Sequence, residues 1–436
     1  MNQILKLKQT VRAVNSNLDV VVEDYIGGGG QGEVYRATMA GKASALKWYF
    51  PNTATDDQRE ILENLVRIGP PDRRFLWPLD VAESADVKGF GYVMPLRDER
   101  HKSIVDLMKR KTEPTFRALC NVGFQLADSF LTLHSKGLSY RDISFGNVFF
   151  DPETGDALVC DNDNVSVDGS ETSGVVGTPR FMAPEIVRGE AKPSKRTDLF
   201  SLSVLLFYIF MVHHPLEGKR EKSIKCLDLP AMNKLYGEDP LFVFDPDDES
   251  NRPEPDVHEN ALLFWRVYPG FLKALFTKAF TDGLRDPQDG RVAESVWRMS
   301  MIRLRDAIMY CPNCVAENFF DEEMWNAHEP QHCWRCDAKI QAPPRLKTGD
   351  ALVALNFDSK LYPHHLGDLY NFEKPVAELA RHPKNPNRWG LKNVGSGEWT
   401  MTKPDGSTTP VPPGKSVGIA RDVEIDFGGA TGVIMA

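Results

Sequence analysis

Along the first hundred residues the apolar positions recur with a period of two. Residues 18–26, 33–38, 43–50 and 89–96 each alternate as strands should. Between the third and fourth of these the period lengthens. Residues 56–68 place Ile61, Leu62, Leu65 and Ile68 on one face of a helix, with Gln58 nearer that face than Glu60 or Glu63. Further on, residues 122–134 predict an amphipathic helix, 148–150 a strand, and 158–160 another. Residues 200–212 are apolar apart from Ser201 and Ser203. That run is too short to span a bilayer and predicts a buried helix. Pro343 and Pro344 mark a linker. From about Gly349 the pattern changes to short alternating runs at 351–355, 377–381, 389–393, 399–402, 417–420 and 423–427. Gly, Pro and Asn separate them, which predicts a small β-sandwich.

Chemistry-bearing residues cluster where these elements meet. Gly27, Gly29, Gly32 and Val34 fit G-x-G-x-x-G-x-V, and glycines let backbone N–H groups approach phosphate oxygens closely. Such a string also suits a plain hairpin tip. A dinucleotide site would need a helix next, but 33–38 alternates as a strand, so the expected element is a hairpin covering nucleotide phosphates. Ala45 and Lys47 share a face of the third strand. An ammonium within an apolar strand is costly unless it meets an anion. The α- and β-phosphates of ATP would supply one, and a snorkelling surface lysine is the plainer alternative. The loop Tyr140-Arg-Asp-Ile-Ser-Phe-Gly-Asn147 lies between a helix and a strand. There Asp142 could take a proton from a hydroxyl while Asn147 helps hold a hard cation. The following strand ends in Asp161-Asn-Asp163, and Asp163 offers a second carboxylate.

These strings resemble the protein kinase family. Residues 140–147 are similar to H-R-D-L-x-x-x-N, Ala45 and Lys47 to V-A-I-K, and Asp161 to the Asp of D-F-G. Gly177-Thr-Pro-Arg-Phe-Met-Ala-Pro-Glu185 is similar to the end of a serine/threonine kinase activation segment. The resemblance, over roughly residues 15–305, implies a bilobal fold and ATP- and Mg²⁺-dependent phosphorylation of Ser or Thr on a protein substrate. It assigns Asp142, Lys47, Asn147 and Asp161 to catalysis, with Asn147 and Asp161 as magnesium ligands. Gly27, Gly29, Gly32, Val34, Ala45, Lys47, Met94 in the gatekeeper position, Pro95 and Arg97 are assigned to the nucleotide site. It further implies that Thr178 contacts Asp142, that Glu185 pairs with Arg291, that Asp198 bonds the catalytic-loop backbone, and that Arg141 meets a phosphate on Thr172 or Ser173.

There are departures from the family. Tyr140 replaces a histidine at a packing position. Ser144 replaces a lysine that meets the transferred phosphate, a gap Arg180 could fill. D-N-D replaces D-F-G, which puts the in/out switching of that motif in doubt. The helix glutamate that orients the lysine is unassigned between Glu60 and Glu63. A nucleotide-binding scaffold without catalysis is the rival reading.

Cys311-Pro-Asn-Cys314 and Cys333-Trp-Arg-Cys336 have the spacing of a structural zinc site with four thiolates. His328 and His332 could substitute, but with four cysteines present they are expected at the surface. The tail faintly resembles a forkhead-associated domain, whose family reads phosphothreonine. It lacks the G-R and S-x-x-H signature, so no binding residue is carried over. The expected organisation is an α+β chain: kinase domain 1–305, zinc ribbon and linker 306–344, and a β-rich domain 345–436. The whole resembles bacterial kinases of tellurite-resistance and stress systems, which implies a phosphatase and a von Willebrand-type protein as partners. Composition narrows the field. Apolar residues make up 42% of the 436, and the net charge of −9 argues against a nucleic-acid partner. The N-terminus lacks a long apolar core and the cysteines pair as metal ligands, so a cytoplasmic location without a membrane span is expected.

Overall fold

The computed structural model describes residues 3–169, 177–382 and 384–436. They divide into two compact units, residues 1–265 with 274–298, and residues 266–273 with 299–436.

The first unit opens with β1 (Thr10–Ala13), β2 (Asp19–Gly28), β3 (Gly32–Met39), β4 (Lys42–Tyr49), β5 (Asp80–Glu83) and β6 (Phe90–Pro95). They close into a barrel in the order β1-β2-β3-β4-β6-β5. The period of two decides what each strand buries. Along β4, Leu46 and Trp48 join Val11, Val20, Tyr35 and Val93 in one core. Ala45 and Tyr49 pack with Leu62, Tyr92 and Met94 in another. Lys47 lies between Ala45 and Tyr49 and therefore shares the second face, opposite Val34 on β3 and Tyr92 on β6. The short β1 had no counterpart among the expected strands. It pairs with both β2 and β5, and so turns an open sheet into a closed one.

Helix α1 (Asp56–Ile68) is capped by the Thr55 hydroxyl, which accepts from the Gln58 N–H, and Asp56 and Asp57 complement the dipole of its first turn. It buries Leu62 and Leu65. Ile68, placed on the same face by the spacing, is instead 44% exposed at the last turn. Helix α2 (Phe116–Ser135) begins earlier than its apolar pattern, at the Thr115 cap. Helix α3 (Lys195–Met211) is held at its start by a capping box of Ser194 and Thr197 and is buried on nearly every side. A hairpin of β7 (Val148–Phe150) and β8 (Ala157–Val159) follows the catalytic loop.

In the second unit, each cysteine pair sits on a small hairpin, one of residues 308–310 and 317–319, the other of 331–332 and 339–340. Beyond them lie a six-stranded and a four-stranded antiparallel sheet. Leu346, Val353, Trp399, Ile425 and Ile434 of one sheet and Leu361, Ala377, Leu379, Leu391 and Val417 of the other share a core. Each of the six alternating runs forms a strand, so the tail is a β-sandwich. Among the described residues no helix is long and apolar enough to cross a membrane.

The glycines of the β2–β3 tip differ in what fixes them. A Cβ on Gly32 would meet the Trp48 carbonyl oxygen at 2.2 Å, whereas one on Gly27, Gly29 or Gly30 would meet nothing within 4 Å. Gly32→Ala should therefore lower the unfolding free energy by about 1–3 kcal/mol. Gly29→Ala should change it by less than about 1 kcal/mol. Urea denaturation of the two variants checks the contrast.

Candidate active site

The strand β4 holds Lys47, a residue only 5% exposed. Three side chains from distant stretches meet it. Asp161 Oδ1 lies at 2.5 Å, Asp163 Oδ2 at 2.8 Å and Gln31 Oε1 of the glycine-rich tip at 2.8 Å. Burial alone would lower the Lys47 pKa, but the two carboxylates outweigh it and raise it. The glycine tip is tied a second time, through Gln31 Nε2 donating to Asn164 Oδ1 at 3.1 Å.

Asp161 stands two residues past β8 and takes a left-handed backbone (φ 54°), from which residues 162–164 make one turn of 3₁₀ helix. Asn162 is fully buried and donates to the carbonyls of Leu76 (2.9 Å) and Val159 (3.1 Å). Where the family has a phenylalanine free to swing, this chain has an amide bonded to two backbone groups. The turn thereby presents two unlike carboxylates. Asp161 has a side chain 34% exposed and that of Asp163 is 0% exposed. Burial and the neighbouring Asp163 charge push Asp161 up to about 6. Burial also opposes the ionisation of Asp163, but Lys47 and the Tyr49 hydroxyl hold it below the ordinary carboxylate range.

The catalytic loop leads into β7. The Asn147 amide donates to the Asp142 carbonyl at 2.9 Å and to Asp142 Oδ2 at 3.1 Å, which leaves Asn147 Oδ1 as its available oxygen. The Asn147 carbonyl accepts from the Cys160 N–H at 2.8 Å, so Asn147 and Asp161 flank the same hairpin. Asp142 Oδ1 accepts from the Thr178 hydroxyl at 2.7 Å. Burial raises the Asp142 pKa against the bonds from Thr178 and Asn147. Val34, Ala45, Met94 and Leu96 pack together on the face that carries Lys47. Pro95 ends β6, and the Arg97 guanidinium stacks on Phe149, its Cζ at 4.2 Å from the ring centroid.

The family description "protein kinase domain" matches residues 20–264, more than half of the chain. The chain belongs to the protein kinase family. Its kinase domain is 29% identical over 207 residues to serine/threonine-protein kinase PknK of Mycobacterium bovis, covering 44% of this chain and 18% of that one. Eukaryotic translation initiation factor 2-alpha kinase 3 of Rattus norvegicus is 28% identical over 197 residues, 39% of this chain and 17% of its own. Serine/threonine-protein kinase plk-2 of Caenorhabditis elegans is 30% identical over 128 residues, 27% and 19% respectively. The chain thus spans less than a fifth of the length of these relatives.

Around this centre the kinase domain ties its loops with buried ion pairs. Glu185 accepts from Arg291 Nη2 at 2.7 and 2.8 Å. Asp198 accepts from the backbone N–H of Tyr140 (2.6 Å) and Arg141 (2.9 Å), and its Oδ2 lies 3.2 Å from His134 Nε2. The other ring nitrogen of His134 bonds Glu294. Tyr140 packs against Phe130 and its hydroxyl donates to the Cys160 carbonyl.

Three expectations need correction or lie elsewhere. Arg180 does not reach the place of Ser144; it forks onto the buried Glu217, with Nε at 2.7 Å from Oε1, and Glu217 also accepts from the Tyr236 hydroxyl at 2.6 Å. Neither Glu60 nor Glu63 pairs with Lys47, since Glu60 is exposed and Glu63 bonds Arg59 at 2.9 Å. Thr172 and Ser173 lie outside the described residues.

In the second unit, Cys311, Cys314, Cys333 and Cys336 hold their sulfurs within 4.8 Å of one another. Two of the pairs, Cys311–Cys336 and Cys314–Cys333, are 3.6 Å apart. Four sulfurs about 2.3 Å from one ion would stand about 3.8 Å from each other, so the set fits tetrahedral zinc. The Asn318 and Asn313 amides each approach a sulfur at 3.6 Å. His328 and His332 are exposed and stand outside the cluster. A second close group, Asp306, His364 and His365, has different chemistry. His365 Nδ1 accepts from the Tyr362 N–H at 2.9 Å, so its proton sits on Nε2, which donates to Asp306 at 2.9 Å. That nitrogen has no lone pair for a metal.

Burial opposes the charge on His134, yet the bonds to Asp198 and Glu294 raise its pKa to about 9, against about 6.5 when unfolded. The stabilisation is complete below pH 6.5 and fades as pH rises through about 9, a loss of about 3 kcal/mol. Urea unfolding across that interval should show this slope, and His134→Gln should remove it.

Proposed function

We propose that the kinase domain is an ATP- and Mg²⁺-dependent serine/threonine protein kinase. The observation that carries this reading is the meeting of Lys47, Asp142, Asn147 and Asp161, from three separated stretches, in one chain of contacts. Asp161 and the Asn147 Oδ1 are hard oxygen donors of the kind Mg²⁺ takes. When bound, that ion neutralises charge on the phosphates. Lys47 exchanges one carboxylate for phosphate oxygens. The open backbone at Gly27, Gly29 and Gly30 leaves room for phosphates to approach the tip. Asp142, its pKa raised, orients the acceptor hydroxyl and receives its proton, while Thr178 and Asn147 fix the carboxylate. Ser144 leaves the developing charge with one cation fewer than in the family, which lowers the transition-state stabilisation available.

The four-cysteine cluster is proposed to hold one structural zinc, with no ligand position left for catalysis. The sandwich is proposed to be forkhead-associated-like, which its six- and four-stranded sheets around a common core support.

Full-length protein with radiolabelled ATP and Mg²⁺ should label a basic protein substrate or itself. Asp142→Asn should cut the rate by about 10²–10⁴-fold. No incorporation by the wild type at any Mg²⁺ concentration would favour a nucleotide-binding scaffold instead. Elemental analysis should find about one zinc per chain, lost in Cys333→Ser.

A further inference from the structure

The family orients the nucleotide lysine with a helix glutamate, and among the described residues no helix glutamate bonds Lys47. The residue that α1 turns toward the site is Gln58, whose amide donates to the Asp163 backbone carbonyl at 3.0 Å and lies 3.2 Å from the Tyr49 hydroxyl. The neutral amide thus touches the partners of the lysine and carries no charge. The charge is found on Asp163. Its Oδ2 accepts from Lys47 at 2.8 Å and from the Tyr49 hydroxyl, two side chains of one face of β4. Its Oδ1 is buried and makes no hydrogen bond among the described residues.

We infer that Asp163 is the counter-ion that positions Lys47, a carboxylate moved from helix α1 to the turn after Asp161. This rests on the kinase reading above. The two aspartates divide the work by exposure. Asp161, a third exposed, gives up its bond to Lys47 when nucleotide binds and turns to the metal. Asp163, sealed from solvent, keeps its bond throughout. The Gln31 contact, made by a neutral amide oxygen, is exchangeable in the same way as that of Asp161. Asn162, bonded to Leu76 and Val159, fixes the turn from which both carboxylates depart.

The test is equilibrium binding of ATP with Mg²⁺ to the full chain, which needs no catalysis. Asp163→Asn should weaken ATP about tenfold or more, the loss of one charge-assisted bond to the lysine, while Glu60→Gln, at an exposed carboxylate of α1, leaves binding unchanged. Adding Gln58→Glu should return much of the lost affinity to Asp163→Asn. In the wild-type background the same change sets a second carboxylate beside Asp163 and should weaken binding. A merely structural residue would not reverse the sign of a neighbour's effect. If Asp163→Asn does not fold, the neutral pair Lys47→Met with Asp163→Asn should fold, because it removes both buried charges together. ATP affinity within twofold of wild type in folded Asp163→Asn overturns the inference. So does a shift confined to the Mg²⁺ requirement, which would make Asp163 a metal ligand. Wild-type protein that binds ATP and loses it in Asp163→Asn, yet transfers no phosphate, upholds the counter-ion and refutes the kinase activity.

Discussion

A single ammonium, taken out of water by an apolar strand, sets the terms for the rest of the kinase domain. Burying such a charge costs several kcal/mol unless partners meet it with good geometry. Lys47 is met by groups from the β2–β3 tip and from the turn after β8, stretches more than a hundred residues apart in the case of Asp161. Those partners are useful only if they are held still. The hairpin β7–β8, the buried Asn162 and the left-handed Asp161 serve that end. Closure of the strands into a barrel holds the lysine side of the same contact.

The helical half follows the same rule with other residues. Glu185 with Arg291, and Asp198 with His134 and the catalytic-loop N–H groups, are buried charges whose partners lie on separate elements. Removing one member would leave the other desolvated and unpaired, at about 3–5 kcal/mol. Such pairs therefore fix loops more firmly than apolar contacts of equal area, because only one geometry satisfies them. The catalytic loop is bonded to Asp198 at its start and to the β7–β8 hairpin at its end, so Asp142 has little freedom between.

Much of this was legible in the sequence, and the boundary of legibility has a physical cause. Period-two and helical spacings report burial, so β2, β3, β4, β6, α1 and the sandwich strands could be read from them. The motif residues were equally plain, because their chemistry requires particular side chains at particular separations. Two kinds of feature escaped. The strand Thr10–Ala13 is too short for alternation to stand out, and its value lies in pairing with both β2 and β5. Choice of ionic partner escaped too. Nothing local tells Arg180 to prefer the buried Glu217, which becomes its neighbour only on folding. One signal was present. A glutamine on the inner face of α1 and an extra aspartate two residues past Asp161 are complementary departures, a charge missing in one place and gained in another.

Those paired departures change what has to be in place for the lysine to be held. A carboxylate on a helix reaches Lys47 only when the whole helix is docked. Asp163 shares a turn with Asp161, so the turn that offers one carboxylate to the cleft brings the other to the lysine. What α1 contributes is a neutral bond from Gln58 to a backbone carbonyl, worth about 1 kcal/mol, where a buried ion pair broken at one partner would cost about 3–5. The grip of the helix on the site is weaker by that difference. The order of the site rests also on Asn162 and its bonds to the Leu76 and Val159 carbonyls.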